Sequence, residues 1–224
     1  MSNKEFLTSS LAKKFVMAAT GLFLISFLVV HVSINSLIFL NDGGETFNAA
    51  AHFMSHNIII RIMEVGLFVG LLMHIYQAWV LTQENKKARP VQYAVQNESA
   101  SKWYSRSMGI LGSLLLMFLV LHLSDFWWDT KIAVANGEEH NTYNELKEKF
   151  TEGDFYLVRI ALYIVGVASL GYHLLHGFQS AFQSLGFNHK KYTPLIKALG
   201  AGFSIIVPLL FAMMPLAFLL GLLD

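Results

Sequence analysis

Five stretches of this chain, residues 15–40, 58–81, 108–128, 155–182 and 196–222, are apolar almost without interruption. Each is as long as the roughly 20 residues that a helix needs to cross a hydrocarbon layer. Inside such a layer no water satisfies peptide groups, so segments of this kind must be helices. The expectation is an all-α integral membrane protein, a single membrane domain of five transmembrane helices. Composition agrees: 54% of residues are hydrophobic and only 14% charged. A net charge of +1 points to no nucleic-acid partner. Residues 1–10 are polar and the first apolar run is of spanning length, so no cleavable signal peptide is expected.

Charges outside the spans give an orientation, because basic residues collect on the cytoplasmic side. Lys4, Lys13 and Lys14 precede the first span; Lys86, Lys87, Arg89, Lys102 and Arg106 separate the second from the third; Lys190, Lys191 and Lys197 separate the fourth from the fifth. The other connections carry Asp42, Glu45, Glu138, Glu139, Glu145, Glu148, Glu152 and Asp154. The amino terminus is therefore expected inside and Asp224 outside. Trp103, Tyr104, Trp127 and Trp128 fall at span ends, where amphipathic rings favour the interface. The longest connection, 129–154, reads as a solvated linker, although YNELKEKF at 143–150 could form a short amphipathic helix. The fifth span holds Pro208 and Pro215 and no histidine, and reads as a helix packed beside the others.

Histidine is costly in hydrocarbon and marks a functional site there. The segment GYHLLHG at 171–177 carries His173 and His176, and three other spans each carry one deep histidine, His31, His74 and His122. Four histidine-bearing spans make two pairs. With no cysteine in the chain, paired neutral imidazoles suggest haem iron held by one histidine on each face. The first and third spans repeat one pattern: Gly21, Phe27, His31 and Ser33 match Gly112, Phe118, His122 and Ser124. Gly70 and Ala78 flank His74 at four residues, and Ser169 and Gly177 flank His173, so small side chains share the histidine's face. Gly66 extends that strip. His176 has Tyr172 and Ser180 at the same offsets, which favours His173 as ligand and leaves His176 as the alternative or as a propionate contact. Depth along each span then pairs His31 with His122 in the outer half and His74 with His173 in the inner half. His52, His56, His140 and His189 are expected to be solvated in loops.

ATGLFL at 19–24, HVSIN at 31–35 and HLLHG at 173–177 with Gly186 resemble the cytochrome b membrane anchor of succinate:quinone oxidoreductases, in its single-chain, five-helix, dihaem class. The resemblance covers nearly the whole chain. It implies four of the helices forming a haem-binding bundle, with His31, His74, His122 and His173 as iron ligands of two haem b groups. It further implies a quinone substrate, with menaquinone the expected type, and cytoplasmic flavoprotein and iron–sulfur partner subunits that carry the FAD and the clusters. Location in the bacterial cytoplasmic membrane follows, and a dimer of the whole complex is one open arrangement. The physiological direction, succinate oxidation or fumarate reduction, stays open.

Quinone chemistry needs proton donors, and the candidates are Glu64, with Arg61 one turn away, and Asp125 just beyond His122. An Arg61–Glu64 ion pair is an equally good account of the first two. A dihaem anchor of a hydrogenase or formate dehydrogenase is an alternative function, and a haem-free transporter with proton-relaying histidines is another.

Overall fold

The computed structural model describes residues 9–87, 103–138 and 140–223. The orientation markers Lys4, Arg89, Lys102, Glu139 and Asp224 lie outside them. The chain is an all-α integral membrane protein, and five of its helices are long and apolar enough to cross a membrane.

Helix α1 (Ser10–Asn35) starts where the Ser9 hydroxyl accepts from the Ala12 amide at 3.2 Å, satisfying one of the free N–H groups of a helix start. It tightens into a 3-10 turn, Ser36–Leu40, that ends at Asn41 in the left-handed conformation. Asp42 then accepts from the Gly44 and Thr46 amides and the Thr46 hydroxyl, which hold its carboxyl below the usual range and launch α2 (Glu45–His56). Helix α3 (Ile58–Lys87) runs six residues past the expected end of its apolar stretch. A short turn, α4 (Trp103–Arg106), leads into α5 (Met108–His122).

Directly after His122 the helix widens into one π turn, Leu123–Trp127, and continues as α6 (Trp128–Asn136). Such turns accommodate an extra residue and are frequent at functional sites. Helix α7 (Thr142–Thr151) follows, capped by Asn141, and then the two long helices α8 (Tyr156–Ser184) and α9 (Thr193–Leu219). Helix α8 is the centre of the bundle and packs on α1, α5, α7 and α9. Against α9 the backbones come close: a Cβ on Gly171 would lie 3.2 Å from the Ser204 carbonyl oxygen. Pro208 and Pro215 are both buried within α9.

The linker expected at 129–154 is instead the lid of a core. Tyr143 (1% exposed), Leu146 and Phe150 (2%) are buried with Ile38, Phe47, Ile160, Met214 and Phe218. Their spacing, i, i+3 and i+7, puts them on one helix face. Charged neighbours hide that stripe in the sequence, and tertiary burial overrides the polar appearance. Gly44 shows how tight the lid is: its φ is +80°, and a Cβ there would lie 2.1 Å from Tyr143 Cγ. Full burial of one such large side chain contributes roughly 1.5–3 kcal/mol. The end of the bundle closed by α2 and α7 is hereafter the capped end. His52 and His56, expected in a loop, lie on α2 with their rings stacked 4.0 Å apart.

Candidate functional site

The structure brings the deep histidines together in two pairs. His31 from α1 and His122 from the end of α5 have ring centroids 5.8 Å apart, close to perpendicular. His74 from α3 and His173 from α8 are 6.2 Å apart at 63°. The repeat between the first and third spans has a structural meaning. Phe27 stacks on His31 at 5.2 Å, and Phe118 stacks on His122 at 5.6 Å. One helical turn separates each ring from its histidine, so equal spacing gives equal stacking. Phe211, Phe126 and Tyr163 complete an aromatic wall around the first pair.

In each pair only one ring has a hydrogen-bond partner at Nδ1 among the described residues. The Asn35 amide nitrogen lies 3.2 Å from His31 Nδ1, and the Thr20 hydroxyl lies 3.2 Å from His74 Nδ1. By contrast His122 Nδ1 and His173 Nδ1 are buried with no hydrogen-bond partner among the described residues. A buried, unpaired ring nitrogen is uncommon and calls for an explanation. His176 is half-buried one turn along α8 and makes no ring contact with His74 among the described residues.

Imidazole suits iron, and a macrocycle supplies four in-plane nitrogens, so two histidines per site are enough. That agrees with the finding that no cluster of three or more metal-binding side chains occurs among the described residues. Added Cβ atoms on Gly66 and Gly112 would meet nothing within 4 Å, and one on Gly177 would only just reach His173. Gly70 behaves otherwise. The Phe23 ring occupies its face, 2.9 Å from where a Cβ would be, so the cleared strip along α3 is shorter than its glycines suggest. With that one exception, the residues present fit a pair of bis-histidine haems.

The two carboxylates singled out by the sequence do not converge. Glu64 on α3 accepts from the Trp127 indole at 2.5 Å and the Lys131 ammonium at 2.6 Å. The Arg61–Glu64 ion pair is therefore not the one that forms: Lys131 takes the carboxylate, and Arg61 donates to the Ser55 carbonyl at 3.4 Å. Lys131 is 67 positions away in the chain, beyond the reach of spacing arguments. Asp125, 5% exposed, faces the other way and accepts from the Tyr163 hydroxyl at 2.8 Å, with Arg159 Nε at 3.5 Å. Trp127 and Asp125 thus leave opposite sides of the π turn. Arg159 and Tyr163 escape the sequence reading; the one signal they carry is a pair of polar groups four apart inside an apolar span, which shares a face.

Comparison with known proteins gives one informative similarity. The chain is 27% identical over 180 residues to a bacterial cytochrome subunit. That relative is the succinate dehydrogenase cytochrome b558 subunit of Bacillus subtilis (strain 168). The match covers 80% of this chain and 79% of the relative. No family model matches the chain, and no solved structure matches it.

Proposed function

We propose that this chain is the cytochrome b membrane anchor of a bacterial succinate:quinone oxidoreductase, of the dihaem class, in the cytoplasmic membrane. One observation carries the reading: four histidines from four spans meet as two separate pairs. The similarity to the B. subtilis cytochrome b558 subunit supports the same conclusion. His31 and His122 would hold one haem near the capped end, and His74 and His173 a second toward the opposite end. Haem, when bound, supplies a one-electron couple at each position.

The chain's own contribution is placement. Phe27 and Phe118 fix two of the imidazole rings by stacking, while Asn35 and Thr20 orient His31 and His74 through their Nδ1 atoms. The aromatic wall excludes water from the first pair. Flavoprotein and iron–sulfur subunits would dock at the end away from the cap, where Lys13, Lys86 and Lys87 lie. Electrons would then pass toward a quinone, with menaquinone the expected type, near Glu64 and Asp125 at the capped end. Lys131 and Trp127 donate to Glu64 beside that region, and Tyr163 donates to Asp125 with Arg159 next to it.

The test is His122→Ala. The variant should retain about half of the wild-type haem, keep the low-spin spectrum of the remaining pair, bind its soluble partners and lose quinone reduction. A wild-type protein with no reduced haem b band would instead favour the haem-free transporter. Co-purification of a hydrogenase or formate dehydrogenase in place of a flavoprotein would favour the other anchor class.

A further inference from the structure

Helix α1 supplies a histidine to only one pair, yet it also touches the other. Three contacts tie it antiparallel to α3: Lys13 pairs with Glu84, Thr20 meets His74, and the Phe23 ring lies over Gly70. The middle contact is a notch for an imidazole. Thr20 Oγ1 lies 3.2 Å from His74 Nδ1, and a Cβ on Gly21 would stand 3.4 Å from His74 Cε1 and 3.8 Å from Nδ1. Gly21 and Gly112 hold the same place in the repeat between the first and third spans, but a Cβ on Gly112 would meet nothing within 4 Å. The neighbour that Gly21 makes room for is therefore the histidine of the other pair.

The direction of the Thr20–His74 bond follows from counting protons. A hydroxyl has one proton and two lone pairs. Thr20 Oγ1 is 2.8 Å from the Val16 carbonyl oxygen and 3.1 Å from that of Met17, so its proton turns back onto its own helix. A lone pair then faces His74, whose Nδ1 carries the hydrogen that fills the 3.2 Å gap. Neutral imidazole has one N–H, so Nε2 is left bare. The opposite ring of the pair has no such bond: His173 Nδ1 is buried with no partner among the described residues.

We propose that Thr20 is a positioning residue of the His74–His173 site: its hydroxyl oxygen accepts from His74 Nδ1, fixing the tautomer that presents Nε2 to iron and making His74 the more basic ligand of the two. This rests on the haem-binding function proposed above. An acceptor at Nδ1 places more negative charge on Nε2, which favours ferric over ferrous iron and strengthens retention of the cofactor. One helix thus serves both sites, through His31 as a ligand at the first and through Thr20 and Gly21 beside a ligand at the second.

The experiment is a redox titration of the whole complex in detergent, followed by absorbance and low-spin electron paramagnetic resonance, with no turnover involved. Thr20→Val keeps the shape and removes the oxygen. One of the two haems should then titrate at a higher potential, with about fivefold more of it reduced at a fixed potential near its midpoint, while the other stays put. In a His122→Ala background the remaining haem is the one at His74 and His173, and the same shift should appear there. That haem should also be lost to an excess of a haem-binding apoprotein about tenfold more readily. Thr20→Ser keeps the oxygen and should restore both properties. Thr20→Ala lacks the oxygen and adds no bulk, so it should match Thr20→Val and carries the test if the valine variant does not fold. An unmoved midpoint in the variants without the oxygen, an equal shift in Thr20→Ser, or a shift of both haems overturns the role of Thr20. A wild-type complex with no reduced haem b band is a different failure, that of the anchor function itself.

Discussion

At the scale of single residues, His173 and His176 give the sharpest contrast. Both belong to one motif, yet only His173 reaches the ring of His74. His173→Ala should therefore lose the pair's haem while His176→Ala keeps both, as read by haem-to-protein ratio; the reverse result would exchange their roles. Glu64 makes the second prediction. Its two bonds, to Trp127 and Lys131, join α3 to the π turn and to the helix that follows it. Glu64→Gln keeps the shape and removes the charge, leaving Lys131 half-paired. It should slow quinone turnover while leaving succinate oxidation by a soluble dye intact, and full quinone turnover would remove Glu64 from the reaction. The deep histidines were legible because a polar ring in an apolar run stands out. The partners of Glu64 and Asp125 were not, because contacts across tens of residues depend on how helices dock rather than on local spacing.

At the scale of elements, the apolar stretches announced the five long helices, and the structure moves mainly their ends. Helix α3 extends through Lys87 because charged residues can continue a helix once it leaves hydrocarbon. The π turn was invisible: LSDFW at 123–127 has no glycine or proline to betray it. Helix α7 was half-visible, its amphipathic pattern present but its burial hidden among lysines and glutamates. Tyr143→Ala should cost the cap about 3–5 kcal/mol, as for other buried aromatic truncations, measured as earlier proteolysis of the 137–155 region. Glu145 gives the cap a pH dependence of known sign. Because its folded-state affinity for a proton is raised, the folded form holds that proton while the unfolded form has lost it. Stability should be full below the ordinary carboxylate range and decline as pH rises toward about 8. Thermal unfolding of the cap from pH 5 to pH 9 should show this slope, and Glu145→Gln should flatten it.

At the scale of the whole molecule, the two histidine pairs lie in different parts of the bundle and share no helix, so each should survive the loss of the other. If electrons cross the bilayer between them, from the cytoplasmic to the outer side, each moves with the inside-negative membrane potential, which assists the transfer by about 2.3 kcal/mol per 100 mV. Succinate-driven quinone reduction in intact cells should then respond to uncouplers, whereas dye reduction by the partner subunits should not. Tags on the amino terminus should be cytoplasmic and tags near residue 138 external. An internal tag near 138 would invert the assignment of the capped end and with it the direction of travel.

The cap also sets an order of assembly. Its buried cluster draws Ile38 from just after α1, Tyr143 and Phe150 from α7, and Met214 and Phe218 from the end of α9. During synthesis the first four spans can enter the membrane while α7 has only part of its floor, from Ile38, Phe47 and Ile160. Only emergence of α9 supplies Met214 and Phe218, the latter 5.5 Å from the Tyr143 ring. The cluster that closes this end of the bundle is thus complete only once the last helix has been inserted.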